Sequence, residues 1–193
     1  MTDETAERFA RERYAVRRAA ITQPLLGFLW RYVLEREATG TMASDPEWPG
    51  TPVAYGDLVM EHMLERLRPA VEAATGLRLF PTYSYLRLYK HGNALRPHRD
   101  RPACEISFSL NLGQEPAAAW PLWLRAANRP QSVALQPGDG VLYRGIELEH
   151  WREPYAGVRA AQVFFHYVEQ DGAHAEWKYD KRGALSMSVQ LPI

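Results

Sequence analysis

The sequence has little cysteine, no excess of charge of either sign and no long apolar run. Cys104 is the only cysteine in 193 residues, which excludes a disulfide within the chain and fits a reducing compartment. The 23 basic and 23 acidic residues balance, so the charge does not indicate nucleic acid as a partner. The longest apolar stretch, residues 24–30, is far too short to cross a bilayer.

The N-terminal region also lacks the features of a targeting segment. Residues 2–18 are charged and contain no apolar core of the kind that a signal peptide needs. We therefore expect a cytoplasmic protein without a membrane segment. No internal repeat or low-complexity tract is visible. From the length we predict a single domain over residues 1–193, and the sequence does not indicate an oligomeric state.

The first part of the chain carries helical patterns. Residues 3–20 are rich in Glu, Arg and Ala and predict a surface helix. A second, strongly apolar helix follows, and a third is predicted to begin at an Asp57 cap and to end at Gly76. Between them, residues 39–55 hold several glycines and prolines and predict a long loop. Residues 1–76 are thus predicted to form a helical support.

From residue 77 onward, the apolar pattern changes from that of helices to that of strands. The runs predicted as strands are 78–90, 104–112, 120–125, 132–136, 140–144, 147–152 and 160–168. Seven short strands at this spacing predict a mainly β fold, a sandwich or a cupin-like jelly roll, over residues 77–168. The N-terminal helices are expected to cover one outer face of it. Residues 169–193 are predicted to be a C-terminal tail that wraps the surface.

Three residues are candidates for metal ligands. His98 and Asp100 lie two apart, so their side chains point the same way on an extended strand. His150 follows fifty residues after Asp100 and can complete the set from a distant strand. Two imidazoles and one carboxylate, with the opposite face open, form the ligand set of non-haem Fe(II) oxygenases. The two-apart motif alone is weak, because a surface turn and an unrelated packed histidine would give the same pattern.

The residues around these candidates make the pattern more specific. The segment from Tyr89 to Asp100 carries a tyrosine, a turn with glycine and the H-x-D motif. The segment from His150 to Arg159 carries the distal histidine and, nine residues later, an arginine. In this combination, residues 83–167 resemble the prolyl 4-hydroxylase-like branch of the 2-oxoglutarate/Fe(II)-dependent dioxygenases. The resemblance implies a double-stranded β-helix, a cupin-like jelly roll, buttressed by about three helices.

The resemblance also implies an activity. Fe(II) would be the metal and 2-oxoglutarate the co-substrate, with ascorbate as a candidate reductant. The reaction would hydroxylate an unactivated C–H bond of a small molecule or a peptidyl residue and release succinate and CO2. Asp100 supports hydroxylation, because related halogenases carry a small residue in place of that carboxylate. The alternatives are a non-catalytic or hydrolytic cupin-like metal-binding protein, which needs no anchor for a carboxylate, and a binding module without turnover.

Four residues are predicted to contact the co-substrate. Arg159 is the predicted anchor for its distal carboxylate, because a guanidinium fork suits bidentate capture of a carboxylate. Arg152 is the alternative, since it lies two residues after His150 on the same strand face. The resemblance implies that Tyr89 hydrogen-bonds a co-substrate carboxylate. Ser109 falls where the family often has a larger hydrogen-bonding residue.

Four further residues are predicted to face the substrate. Alternation places Tyr85 and Arg87 on the same face of their strand as Tyr89. On the next predicted strand, Ser107 and Asn111 share a polar face. In a jelly roll with a wet site at its mouth, such a polar face can look inward rather than toward solvent.

Overall fold

A computed structural model describes residues 2–186 and contains two antiparallel sheets with helices packed on one of them. The helices are α1 (Thr2–Glu12), α2 (Gln23–Ala38) and α3 (Leu58–Thr75). The strands are β1 (Tyr14–Arg17), β2 (Ala43–Ser44), β3 (Pro52–Tyr55), β4 (Leu79–Lys90), β5 (Leu95–His98), β6 (Ile106–Glu115), β7 (Leu122–Ala126), β8 (Arg129–Val133), β9 (Gly140–Arg144), β10 (His150–Arg152) and β11 (Arg159–Glu169). Two short 3-10 segments lie at Pro102–Cys104 and Ala175–Lys181.

The larger sheet has the strand order β1-β9-β6-β11-β4-β3-β2, and the smaller sheet has the order β5-β10-β7-β8. The sheets pack face to face, since Leu122 and Leu124 of β7 lie in one buried cluster with Val141 and Tyr143 of β9. Such a pair of antiparallel sheets is the jelly-roll architecture that the strand pattern predicted.

The other face of the larger sheet packs against the helices. Leu86 and Leu88 of β4 are fully buried there with Met60 and Leu64 of α3. Alternation along β4 therefore turns the leucines to the helices and the intervening residues, which were predicted to share one face, to the space between the sheets. This packing positions the polar face of β4 for the site described below.

Both predicted ends of the third helix are present. Asp57 is the N-cap, and its carboxylate accepts a hydrogen bond from the amide of Met60. Gly76 ends the helix with a left-handed φ of 74°, a conformation that glycine adopts without steric cost.

The N-terminal part is less helical than predicted. The helix predicted over 3–20 ends at Glu12, and β1 pairs with β9 at one edge of the larger sheet. The predicted loop 39–55 contains β2 and β3, which extend the opposite edge. Those strands are held by pairing with distant partners, and the local composition carries little signal of such pairing.

The predicted C-terminal tail begins within β11 and continues over the surface. Arg101 donates two hydrogen bonds of 2.7 Å to the carboxylate of Asp180, which ties the tail to the segment after β5. The last seven residues of the predicted tail, 187–193, lie outside the described residues. The predicted division of the chain into support, core and tail stays a prediction.

Candidate metal centre and active site

The three candidate metal ligands meet between the two sheets. Antiparallel pairing of β10 with β5 sets His150 opposite His98, and Asp100 follows two residues after β5. Asp100 Oδ1 lies 3.4 Å from His98 Nε2 and 3.5 Å from His150 Nε2. One ligand atom of each residue lies within 4.8 Å of the other two. The three side chains thus surround a common point.

Contacts with backbone carbonyl oxygens determine which imidazole nitrogens face that point. His98 Nδ1 lies 2.8 Å from the carbonyl oxygen of Arg96, and His150 Nδ1 lies 2.9 Å from that of Leu148. A carbonyl oxygen can only accept, so in the neutral imidazoles each Nδ1 carries the hydrogen and each Nε2 carries a lone pair. Two lone pairs and a carboxylate oxygen then converge, which is the donor set that a divalent metal ion needs. The residues present fit such an ion.

The electrostatics of the site favour positive charge. Burial alone would raise the pKa of Asp100, but the neighbouring His150 and His98 imidazoles, when protonated, hold that pKa well below its usual range. The Asp100 carboxylate in turn raises the pKa of His98. A proton on His98 therefore competes with a metal ion for the same carboxylate, and metal binding releases that proton.

Gly145 gives the Asp100 carboxylate its space. The carbonyl oxygen of Gly145 accepts a hydrogen bond of 2.9 Å from the Asp100 amide. A Cβ atom at position 145 would overlap Asp100 Oδ2 and the carbonyl oxygen of Cys104. Sequence reasoning missed this residue, and the only signal was a glycine five residues before His150. The close approach of two chain segments requires glycine here.

We expect Gly145→Ala to weaken metal binding by about 10–100-fold, the range seen when the support of a ligand is disturbed. The added methyl group must displace the Asp100 carboxylate or the backbone beside it. Titration of the metal-free protein with Co(II) measures the effect. Gly183→Ala is the matched control, because a Cβ there meets nothing within 4 Å. Equal Co(II) affinity in the two variants would contradict this role for Gly145.

A cavity of about 200 Å³ opens beside the three candidate ligands. Besides these ligands, it is lined by Tyr83, Tyr85, Arg87, Tyr89, Leu95, Tyr143, Phe164 and His166. Four of these residues come from alternate positions of β4 and two from alternate positions of β11. The cavity therefore has mainly aromatic walls with a few polar groups, which is typical of small-ligand sites.

Several buried donor groups near the cavity lack a partner. Arg87 Nε and Nη2, Arg152 Nε, Tyr89 Oη and Ser109 Oγ have no hydrogen-bond partner among residues 2–186. Buried polar groups are normally paired, so such atoms are expected to meet a ligand or water. Burial raises the pKa of Tyr89, which keeps its hydroxyl protonated and able to donate. These donors together suit an anion with several oxygens, such as a carboxylate.

Arg87 reaches the cavity from β4. Its guanidinium lies 4.5 Å from the centre of the Tyr89 ring, in cation–π contact. Asp45 Oδ2 lies 3.5 Å from Arg87 Nε, but this contact forms no hydrogen bond. Arg87 thus keeps free N–H groups although its charge has a neighbouring carboxylate. Asp45 was missed in the sequence, where it falls in a predicted loop.

Arg152 comes from β10 of the smaller sheet, whereas Arg87 comes from β4 of the larger sheet. Arg152 is 2% exposed and donates to Trp120 O at 2.6 Å and to Gln162 Oε1 at 3.3 Å. Gln162 is the β11 partner of Arg87 in the strand register. Both acceptors of Arg152 are neutral, and no carboxylate of the described residues lies within 4.0 Å of its guanidinium. Burial lowers the pKa of Arg152, and a buried cation of this kind favours an incoming anion.

Arg159 lies away from the cavity. Its Nε donates to Glu115 at 2.8 Å, and its Nη1 lies 3.3 Å from Glu37 Oε2. The small apolar residues that share its face of β11 pack against the helices, and the opposite face, with Gln162, looks between the sheets. The structure thus places the Arg159 side chain outside the cavity wall, and its role as the anchor stays a prediction. The carboxylates of Glu115 and Glu37 supply the anions that its charge needs.

Only two of the four residues predicted to face the substrate lie in the cavity wall. Tyr85 and Arg87 line the cavity. Ser107 points inward, and its hydroxyl donates to Asp100 Oδ2 at 3.0 Å. Asn111 is also buried, but its side chain bonds the neighbouring backbone and is not part of the cavity wall. The polar face of β6 therefore looks inward, and the predicted substrate contacts stay predictions.

The two faces of β4 should respond differently to substitution. We expect Leu88→Ala to cost about 2–5 kcal/mol of stability, because Leu88 is fully buried against the helices. The folded protein should keep its affinity for 2-oxoglutarate. Tyr89→Phe should instead weaken 2-oxoglutarate binding with little loss of stability, because it removes a buried hydroxyl without a protein partner. Urea unfolding and calorimetric titration separate the outcomes, and equal losses in both variants would mean that the strand register is misassigned.

Several solved structures share this architecture. A prolyl-4-hydroxylase from Pseudomonas putida matches with a TM-score of 0.70 and 20% identity, over 88% of this chain and 99% of that chain. EctD from S. alaskensis with 2-oxoglutarate and 5-hydroxyectoine matches with a TM-score of 0.73 and 16% identity, over 97% and 86%. The fold is that of the 2OG-Fe(II) oxygenases.

A third solved structure with this fold contains a bound peptide fragment. A prolyl hydroxylase from Trichoplax adhaerens, in complex with a hypoxia inducible factor peptide fragment, has a TM-score of 0.72 and 11% identity, over 88% and 89%. No family model and no curated protein matches the sequence. The double-stranded β-helix expected from the sequence is thus confirmed at the level of the fold. Among the described residues, no helix has the length and apolar character required to span a membrane.

Proposed function

We propose that this protein is an Fe(II)- and 2-oxoglutarate-dependent dioxygenase that hydroxylates an unactivated C–H bond. The observation that carries the proposal is the convergence of His98 Nε2, His150 Nε2 and Asp100 Oδ1 on one point beside a cavity with unpaired buried donors. Three protein ligands on one side would hold Fe(II) and leave room beside it for the co-substrate and dioxygen.

Metal binding and exclusion of water would depend on different residues of the site. His98, Asp100 and His150 would hold Fe(II), with the histidine tautomers fixed by backbone carbonyls. When bound, Fe(II) and 2-oxoglutarate supply oxidation by dioxygen, with succinate and CO2 as the products of the co-substrate. Tyr143 and Phe164 would shield the reacting centre from water, since both are buried in the cavity wall.

We assign the binding of the distal carboxylate of 2-oxoglutarate to Arg87 and Tyr89. Arg152, whose hydrogen-bond acceptors are neutral, would add positive charge nearby. Arg87 and Tyr89 line the same cavity as the metal ligands and have unpaired donors. Ser109 Oγ is a further unpaired donor on the inward face of β6. Arg159, in contrast, already has two carboxylate partners. This assignment replaces the anchor expected from the sequence.

The substrate is proposed to be a small molecule or a peptidyl residue that presents a compact group to the metal. A cavity of about 200 Å³ must hold both 2-oxoglutarate and the reacting group, and water alone occupies about 30 Å³ per molecule. One solved neighbour was determined with 2-oxoglutarate and 5-hydroxyectoine and another with a peptide fragment, so this fold accommodates small molecules and peptides. Ascorbate as reductant and a cytoplasmic location stay predictions.

Anaerobic binding and aerobic turnover test the proposal. The metal-free protein, loaded with Fe(II) without oxygen, should bind 2-oxoglutarate and develop the visible absorption of the chelate. With oxygen it should form succinate slowly, even without substrate, and faster with compounds that are hydroxylated. Metal binding without any binding of 2-oxoglutarate would favour the alternative, a non-catalytic or hydrolytic cupin-like metal-binding protein.

A further inference from the structure

A series of three hydrogen-bonded polar side chains, two of them buried, leads away from the metal site. Ser107 on β6 and His166 on β11 are direct partners in the strand register. Ser107 Oγ lies 3.0 Å from Asp100 Oδ2 and 2.9 Å from His166 Nδ1. Ser107 is fully buried and His166 is 5% exposed. The serine hydroxyl therefore connects a candidate metal ligand to a histidine that was not among the predicted site residues.

The direction of each hydrogen bond in this series follows from proton counting. A serine hydroxyl has one hydrogen, and the ionised Asp100 carboxylate can only accept. The hydroxyl has two acceptors, Asp100 Oδ2 at 3.0 Å and the Cys104 carbonyl oxygen at 3.3 Å, and the shorter contact is the one to Asp100. Ser107 consequently donates to Asp100 Oδ2, and its oxygen accepts from His166 Nδ1. His166 must carry its hydrogen on Nδ1. Burial lowers the pKa of His166 to about 4, so the ring is neutral near neutral pH and this is its one hydrogen.

The hydrogen bonds that link His166, Ser107 and Asp100 limit how the Asp100 carboxylate can turn. Oδ2 accepts from Ser107 and lies against the Gly145 backbone, whereas Oδ1 faces the Nε2 atoms of His98 and His150. A carboxylate without such a partner can rotate and offer both oxygens to a metal ion. Because Oδ2 is held in this way, only Oδ1 would be available to a metal ion.

We propose that His166 is a positioning residue that acts through Ser107 to hold Asp100 in a one-oxygen orientation toward the metal. The inference rests on the proposed metal site, but not on turnover of any substrate. The competing explanation is that Ser107 and His166 are only a packed pair, since the His166 ring also lies 4.6 Å from the Tyr83 ring. The two explanations differ in what each predicts for metal binding.

Co(II) titration of the metal-free protein tests the proposal, with the visible spectrum as a second readout. Ser107→Ala should weaken Co(II) binding by about 10–100-fold and change the d–d bands, because Asp100 becomes free to rotate. His166→Phe keeps a ring of similar shape and should give a smaller change of the same kind. Ser84→Ala is the matched control, since Ser84 Oγ is buried and has no partner among residues 2–186. It should leave Co(II) affinity unchanged.

The double variant Ser107→Ala/His166→Phe decides whether the histidine acts through the serine. If it does, the double variant should bind Co(II) no more weakly than Ser107→Ala alone. Additive losses would overturn the coupling. A lower melting temperature with unchanged Co(II) affinity and spectrum in Ser107→Ala would show that the pair only packs, and the proposal would be wrong.

Nitrogen-15 NMR of the imidazoles gives an independent check. In the metal-free wild-type protein near neutral pH, His166 should show the neutral form protonated at Nδ1, and this preference should be lost in Ser107→Ala. A wild-type His166 protonated at Nε2 would overturn the proton directions argued above. A protein that binds Co(II) as described but forms no succinate would contradict the proposed function and leave this inference standing.

Discussion

Asp100→Asn should abolish metal binding and succinate formation while leaving the fold intact. The amide has the shape of the carboxylate, and its oxygen can still accept the hydrogen bond that Ser107 now donates to Oδ2. Its NH2 group would then face the Nε2 atoms of His98 and His150, which lie 3.4 and 3.5 Å from Oδ1. A donor would stand where the metal needs an acceptor, and it would satisfy the two imidazoles without any metal.

The expected loss in Fe(II) affinity exceeds about 100-fold, because disturbing only the support of a ligand already costs 10–100-fold. Anaerobic titration with Fe(II) measures it, and succinate release under oxygen should fall to background. His98→Ala and His150→Ala should have the same effect on metal binding. His150 is 1% exposed, so its removal should also lower the melting temperature, whereas that of His98, which is partly exposed, should do so less. Unchanged Fe(II) affinity in any of the three variants would refute the assignment of ligands.

The candidate metal ligands could be found in the sequence because their geometry is partly local. His98 and Asp100 are two residues apart at the end of a strand, and that spacing alone puts them on one side. The position of His150 depends on the register between β5 and β10, which no local pattern gives. The resemblance to a family supplied it. The caps of α3 were likewise local, since Asp57 and Gly76 act within one turn of the chain.

The anchor proposed for 2-oxoglutarate could not be found in the same way. Alternation shows which residues of β11 share a face, but it does not show which face is inward. Ala161 and Val163, beside Arg159, are small and apolar, and such residues suit either a helix interface or a cavity wall. The carboxylates that neutralise Arg159 come from α2 and β6, far away in sequence. Gly145 and His166 were missed for the same reason, since each acts through a contact between distant segments.

The reassigned anchor leads to the second large expected effect. We expect Arg87→Ala to weaken anaerobic binding of 2-oxoglutarate by a factor of tens to thousands, because loss of a buried charge-assisted pair costs about 2–5 kcal/mol. Arg152→Ala should weaken it as well, since it removes a buried cation that has only neutral acceptors. Arg87→Lys should recover part of the affinity, because a point charge replaces a fork. Fe(II) affinity without co-substrate should change little in all three.

Arg159→Ala is the matched control for these variants, because it also removes one arginine from a strand beside the site. Its guanidinium is about one-third exposed and bound to Glu115 and Glu37, on the side of β11 that faces the helices. The 2-oxoglutarate dissociation constant should therefore stay within about twofold of wild type, since a screened pair of this kind contributes little even to stability. Calorimetric titration of the Fe(II)-loaded proteins without oxygen measures all of these constants. A large loss in Arg159→Ala together with a small one in Arg87→Ala would restore the anchor expected from the sequence and would mean that β11 presents its other face to the cavity.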